Sequence, residues 1–113
     1  MLDSFKYAFR GIWDALKCES NLRVHFLASI AVIILAIYLN FDQKELSILI
    51  LTISFIIILE LINTIVEKLV DIHSLKVSEE ARVIKDMSAG VVLLGAIASI
   101  MIGLLLFLPK LFS

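Results

Sequence analysis

Glu60, Asn63, Glu67 and Asp71 follow one another at steps of three, four and four residues, the spacing that stacks side chains on one face of an α-helix. Two glutamates, an aspartate and an amide on one stripe offer a proton acceptor, a group that orients by hydrogen bonding, and oxygen ligands for a divalent cation. The stripe begins directly after an uncharged apolar run from Leu46 to Leu59. At a rise of ~1.5 Å per residue that run covers ~21 Å of a ~30 Å hydrocarbon core. Glu60 is therefore expected inside the membrane near its cytoplasmic boundary, with Glu67 and Asp71 reaching headgroups and cytosol. A carboxylate at mid-bilayer costs about 2.5–3.5 kcal/mol on insertion scales, so Glu60 must face a bundle interior, a partner or water. In the less polar surroundings it suits a proton acceptor, while Glu67, better hydrated and one turn from Asp71, suits a divalent cation.

The elements that must position this stripe are legible from composition. Of 113 residues 61% are hydrophobic and the mean hydropathy is +1.05, far above the roughly 45–50% apolar usage of soluble domains. Three spans of about 20 residues, two short connections and two termini use the whole length, so residues 1–113 form a single domain. The fold class is an all-α membrane protein: an interfacial helix within residues 1–23, then spans at about 24–39, 46–66 and 87–108. In the first segment Leu2, Phe5, Phe9, Ile12, Trp13 and Leu16 oppose Asp3, Lys6, Arg10, Asp14 and Lys17, an amphipathic pattern that suits the membrane interface. Asn40-Phe41-Asp42 reads as a tight turn, residues 72–87 as a charged loop merging into the next helix, and Pro109 with Lys110 as the stop of the third span. Lys6, Arg10, Lys17, Arg23, Lys68, Lys76, Arg82 and Lys85 fall on one side and Lys44 and Lys110 on the other. That bias puts the N-terminus and the second connection in the cytoplasm and the C-terminus outside.

Other chemistries are excluded or weak. No basic run or aromatic-interleaved basic face points to nucleic acid. One cysteine, Cys18, allows no internal disulfide and no cysteine-cluster metal site. The four glycines cannot form a phosphate loop of the Walker type. The first 23 residues are charged and amphipathic, so no cleavable signal peptide is expected. Gly95, Ser99 and Gly103 form a small-residue ridge that admits close helix packing. Three helices cannot enclose a polar site on all sides, so this ridge or its neighbours are expected to help build a homo-oligomer. Glu19, Arg23, Lys85 and Asp86 share the cytoplasmic layer of the stripe, where helix-end charge and snorkelling are their ordinary explanation.

The run from Glu60 to Asp71 resembles the signature of the prokaryotic diacylglycerol kinase and undecaprenol kinase family, E-x-x-N-S/T-x-x-E-x-x-x-D. Arg82-Val83-Ile84-Lys85-Asp86-Met87, Glu19-Ser20-Asn21-Leu22-Arg23 and Arg10-Gly11 extend the resemblance over nearly the whole chain. It implies ATP-dependent phosphorylation of a lipid hydroxyl in the bacterial cell membrane, by a homotrimer with active sites at the cytoplasmic interface between subunits. Carried over by position, Glu60 is the general base and Asn63 helps to orient the hydroxyl. Glu67 and Glu19 hold the magnesium that bridges ATP phosphates, Lys85 contacts those phosphates, and Arg10, Asp71 and Asp86 join the nucleotide cluster. Relatives commonly have a small residue in place of Ile65 and a histidine in place of Ser78, while His73 sits elsewhere. The segment Glu19 to His25 is closer to the Gram-positive undecaprenol kinase branch, making undecaprenol the expected lipid and diacylglycerol the alternative. A small oligomeric proton-coupled transporter using Glu60, which typically has four spans, and a non-catalytic membrane assembly subunit are the readings from other classes.

Overall fold

The computed structural model describes residues 1–73 and 78–112. Among them are four helices, α1 (Leu2–Cys18), α2 (Ser20–Tyr38), α3 (Gln43–His73) and α4 (Glu79–Leu111). The last three are long and apolar enough to cross a membrane, as the all-α reading expects. Lys76, one of the basic residues weighed for orientation, lies outside the described residues.

The α1–α2 break is made by Glu19, whose extended backbone (φ −114°, ψ 112°) interrupts two otherwise continuous helices. Arg23 closes the open end of α1, its guanidinium donating to the carbonyls of Leu16 at 2.7 Å and Lys17 at 3.0 Å. This satisfies C-terminal carbonyls that would otherwise be orphaned, and is the helix-end role expected of Arg23. Ala15 is the buried residue of α1. Phe5, Phe9 and Trp13 remain largely exposed, so the apolar face of α1 is not spent on packing within the chain, as an interfacial helix requires.

The turn at Asn40-Phe41-Asp42 is built by two successive capping devices. Asn40 takes the left-handed conformation (φ 61°), the amide of Phe41 donates to the Ala36 carbonyl at 3.1 Å, and that of Asn40 donates to Ile37 at 3.1 Å. This is a Schellman ending. The Asp42 amide then donates to the Glu45 carboxylate at 2.9 Å while the Glu45 amide donates to Asp42 Oδ1 at 2.8 Å, a reciprocal capping box that starts α3. Phe41, between the two, is buried with Ala36 and Leu49 and meets the Phe107 ring with centroids 4.8 Å apart. Lys110 closes over this end, 3.1 Å from Glu45 Oε1.

Three helix boundaries lie beyond the expected spans. Helix α3 continues beyond residue 66 to His73, because its stripe of polar residues keeps helical spacing after it leaves the apolar run. Helix α4 begins at Glu79, within the stretch 72–87 expected to merge loop into helix and ahead of the span expected from about 87. Ser78 caps it by accepting from the Ala81 amide at 3.1 Å, and Glu79 and Glu80 supply the acidic first turn that a helix N-terminus favours. Pro109 does not stop α4, which runs to Leu111. A proline this close to the end removes one intrahelical donor from the last turns rather than from the helix interior, and the Phe112 amide still reaches the Leu108 carbonyl at 3.1 Å.

Helix α3 is the centre of the fold and packs most extensively on α4. Gly95 lets them approach: a side chain there would overlap the Leu59 methyl and come within 3.3 Å of Ile56 Cδ1. The small-residue ridge thus faces inward at Gly95. Ser99 and Gly103 line an internal cavity of about 250 Å³ with Leu49, Thr52, Ile53 and Phe107. Close packing of helices, the plainer of the two readings of this ridge, is the one realised within the chain.

Candidate functional site

The 31 residues of α3 span ~46 Å at ~1.5 Å each, well over a ~30 Å core. The surplus lies at the end carrying the polar stripe. There Glu60 and Thr64 are the two buried polar residues, 4% and 3% exposed. The Thr64 hydroxyl donates to the Glu60 carbonyl at 3.0 Å, the usual internal solution for a threonine within a helix. The Glu60 carboxylate points toward α2, where His25 Nε2 stands 3.8 Å from its Oε2. One turn along, Asn63 Nδ2 donates to Glu67 Oε1 at 3.1 Å. That bond fixes the orientation of the amide and leaves Asn63 Oδ1 buried without a partner. An orphaned acceptor of this kind costs about 1–3 kcal/mol, and is a place for an incoming donor.

The outer end of the stripe is ionic. Asp71 Oδ1 accepts from Lys85 Nζ at 2.6 Å, joining α3 to the charged turns of α4 that precede its apolar run. The hydrogen bond from Lys85 to Asp71 holds its ammonium above the ordinary lysine range, with the Glu67 carboxylate adding in the same direction. Both groups are substantially solvated, so the pair is a positioning contact rather than a source of stability.

Glu19 reaches the same level from the other side. Stepping back six residues along α2 from His25 and forward seven along α3 from Glu60 covers ~9 and ~10.5 Å at ~1.5 Å per residue. Antiparallel helices therefore bring Glu19 and Glu67 to one depth, with Glu19 half-buried at the α1–α2 break. Among the described residues no group of three or more histidine, cysteine or acidic side chains forms a metal cage. Magnesium does not need one, since it typically takes one or two carboxylates, substrate phosphates and waters. Glu67 beside the unsatisfied Asn63 oxygen offers oxygen donors of the kind a magnesium–nucleotide complex takes, and Glu19 shares their depth.

Not all expected site residues converge. Asp86 accepts from Arg82 at 2.6 Å, and Arg82 also grips Glu79, so this acidic pair is engaged with an arginine of its own helix and not with Lys85. Arg10 is exposed on α1 and stacks on the Tyr7 ring at 5.4 Å. Ser78 is spent on capping α4. His25 was recognised from the sequence only as a residue near the start of the first span. Its partnership crosses between helices, which one-helix periodicity does not register. A cavity of about 390 Å³ lies between α1 and α3, lined by Tyr7, Gly11 and Ala15 on one side and Leu61, Thr64 and Ile65 on the other. It is a mainly apolar hollow beside Thr64, with Asp14 and Lys68 also on its lining.

Comparison with known proteins gives the family of the chain. Residues 6–107 match the family model for prokaryotic diacylglycerol kinase. The chain is 40% identical over 114 aligned residues to a diacylglycerol kinase of Synechocystis sp., covering 100% of this chain and 65% of that protein. It is 41% identical over 108 residues to an undecaprenol kinase of Bacillus subtilis, covering 96% and 88%, and 35% identical over 100 residues to a diacylglycerol kinase of Helicobacter pylori, covering 82% and 78%. The matched region contains the whole stripe, Glu19 and the Lys85-Asp86 turn, and by this extent of similarity the chain belongs to the prokaryotic diacylglycerol kinase family.

Proposed function

We propose that this protein is an ATP-dependent lipid kinase that phosphorylates a lipid hydroxyl at the cytoplasmic face of a bacterial membrane, with undecaprenol as its substrate. One observation carries the reading: a continuous polar stripe has a buried carboxylate, Glu60, at its deep end and an unsatisfied amide oxygen, Asn63 Oδ1, one turn away. A lipid alcohol arriving from the bilayer and a nucleotide arriving from water meet along such a stripe. The excess of Lys and Arg at this end supports its cytoplasmic placement.

In this reading Glu60 is the general base. As the lipid oxygen bonds to the γ-phosphorus, the bond to the β-bridging oxygen breaks, ADP leaves, and the hydroxyl proton passes to the Glu60 carboxylate. Asn63 orients the hydroxyl. Glu67 and Glu19 hold magnesium, which when bound neutralises phosphate charge. Lys85 exchanges Asp71 for a phosphate oxygen, with Asp71 at the outer edge of the nucleotide site, while Asp86, held by Arg82, and Arg10, stacked on Tyr7, stand outside it. Phosphoryl transfer asks a protein chiefly for positioning and charge stabilisation, so this small set suffices. A single chain leaves its spans mostly uncovered, and we assign it to a homotrimer in which neighbouring copies close the site.

Undecaprenol is favoured over diacylglycerol by the segment from Glu19 to His25 and by the fuller coverage of the Bacillus undecaprenol kinase, 88% of its length. The test is purified protein incubated with labelled ATP, magnesium and each lipid in turn. Faster transfer to undecaprenol is expected. Faster transfer to diacylglycerol would assign the other lipid, and no product from either would contradict the kinase reading.

A further inference from the structure

We propose that His25 is a positioning residue for Glu60, holding its carboxylate and carrying its proton outward after each transfer. The proposal rests on the general-base reading of Glu60 and goes beyond it. A base buried to this degree has a problem of return: a proton taken from the lipid hydroxyl must leave before the next turnover, and the Glu60 side chain is only 6% exposed. His25 is 33% exposed and its Nε2 stands 3.8 Å from Glu60 Oε2. Among the described residues no lysine or arginine nitrogen comes within 4 Å of this carboxylate. That separation exceeds a direct hydrogen bond, and a small side-chain rotation or one water closes it.

The two residues sit on different helices, so their approach is a product of the fold. His25 lies in the second turn of α2, where its carbonyl accepts from the Ser29 hydroxyl at 2.6 Å and its ring stays free to turn toward α3. The imidazole is suited to this work because its two nitrogens are distinct and one can accept a proton while the other releases one. Nε2 takes the proton from the Glu60 carboxyl, restoring the carboxylate. The imidazolium then gives its Nδ1 proton to water at the interface. Exchange of the remaining Nε2 proton with water, directly or through a ring flip, returns Nε2 to its acceptor form, so only O–H and N–H bonds change and water is the one further participant.

The experiment uses the full chain in lipid vesicles, with labelled phosphate transfer measured for wild type, His25→Gln, Glu60→Gln and the double variant, each checked for the same assembled size. His25→Gln is expected to lower kcat about tenfold or more, leave KM for ATP and lipid within about twofold, and add no further loss to Glu60→Gln. A residue that only supports packing would show an additive loss or a shift in both KM values, and either result overturns the proposal. Wild-type kcat in His25→Gln with an inactive Glu60→Gln also overturns it, and leaves Glu60 as the base. Full activity in Glu60→Gln instead removes the base reading and this inference with it. Should His25→Gln fail to assemble, His25→Asn carries the same readouts.

Discussion

The two ends of the bundle solve the same problem in opposite ways. At the Phe41 end the polar groups of the turn satisfy one another: Asn40 closes α2, Asp42 and Glu45 cap α3 reciprocally, and Lys110 settles on Glu45. Phe41 and Phe107 seal the space between. At the Glu60 end a carboxylate is buried beside a histidine too distant for a hydrogen bond, and an amide oxygen has no partner. The first arrangement holds the helices together. The second keeps polar capacity in reserve, as expected where a ligand completes the structure.

This contrast is breakable by mutation, with loss of activity confined to one end and loss of stability to the other. The largest effect is expected from Glu60→Gln, which should assemble normally yet lose about 10³-fold or more in phosphate transfer, within the range for a deleted general base. Turnover assays on size-checked protein decide this. Glu67→Gln should cost about 10²-fold in activity at ordinary magnesium and recover partly at high magnesium, because it removes one ligand of a shared ion rather than the base. An unchanged magnesium titration would argue against its ligand role.

At the opposite end, Phe41→Ala should lower unfolding stability by about 1–3 kcal/mol while leaving turnover of the folded fraction near wild type. Denaturation followed by helix content measures it. Gly95→Leu lies between the two regions, since the added side chain must displace Leu59, the residue next to Glu60. It should destabilise by about 1–3 kcal/mol through overpacking and disturb turnover as well, whereas Gly103→Ala, where an added methyl meets open space, should do neither. The smallest effect is expected from Asp71→Asn, which frees Lys85 and should change KM for ATP by a few-fold without altering kcat.

The part of this organisation that depends on one helix at a time was legible in the sequence. Helical spacing gives the stripe from Glu60 to Asp71, and the apolar run before it gives the depth of Glu60. Contacts between helices were not legible: His25 with Glu60 depends on how α2 lies against α3, and Lys85 with Asp71 on the α3–α4 approach that Gly95 permits. Helix starts were hidden for another reason. Residues 20–23 are grouped with the interfacial helix and residues 72–87 read as loop merging into helix because both lie outside the apolar runs, whereas α2 already begins at Ser20 and α4 at Glu79. Asp86 illustrates the limit of positional carry-over, since its carboxylate is held by Arg82 on the same helix.

The central claim is that the buried carboxylate on α3 serves chemistry rather than assembly. Its most direct test is labelled phosphate transfer to undecaprenol by wild-type and Glu60→Gln protein at matched assembled concentration. The account predicts magnesium-dependent product from the wild type and a loss of about 10³-fold or more in the variant. Equal product from the two would contradict it.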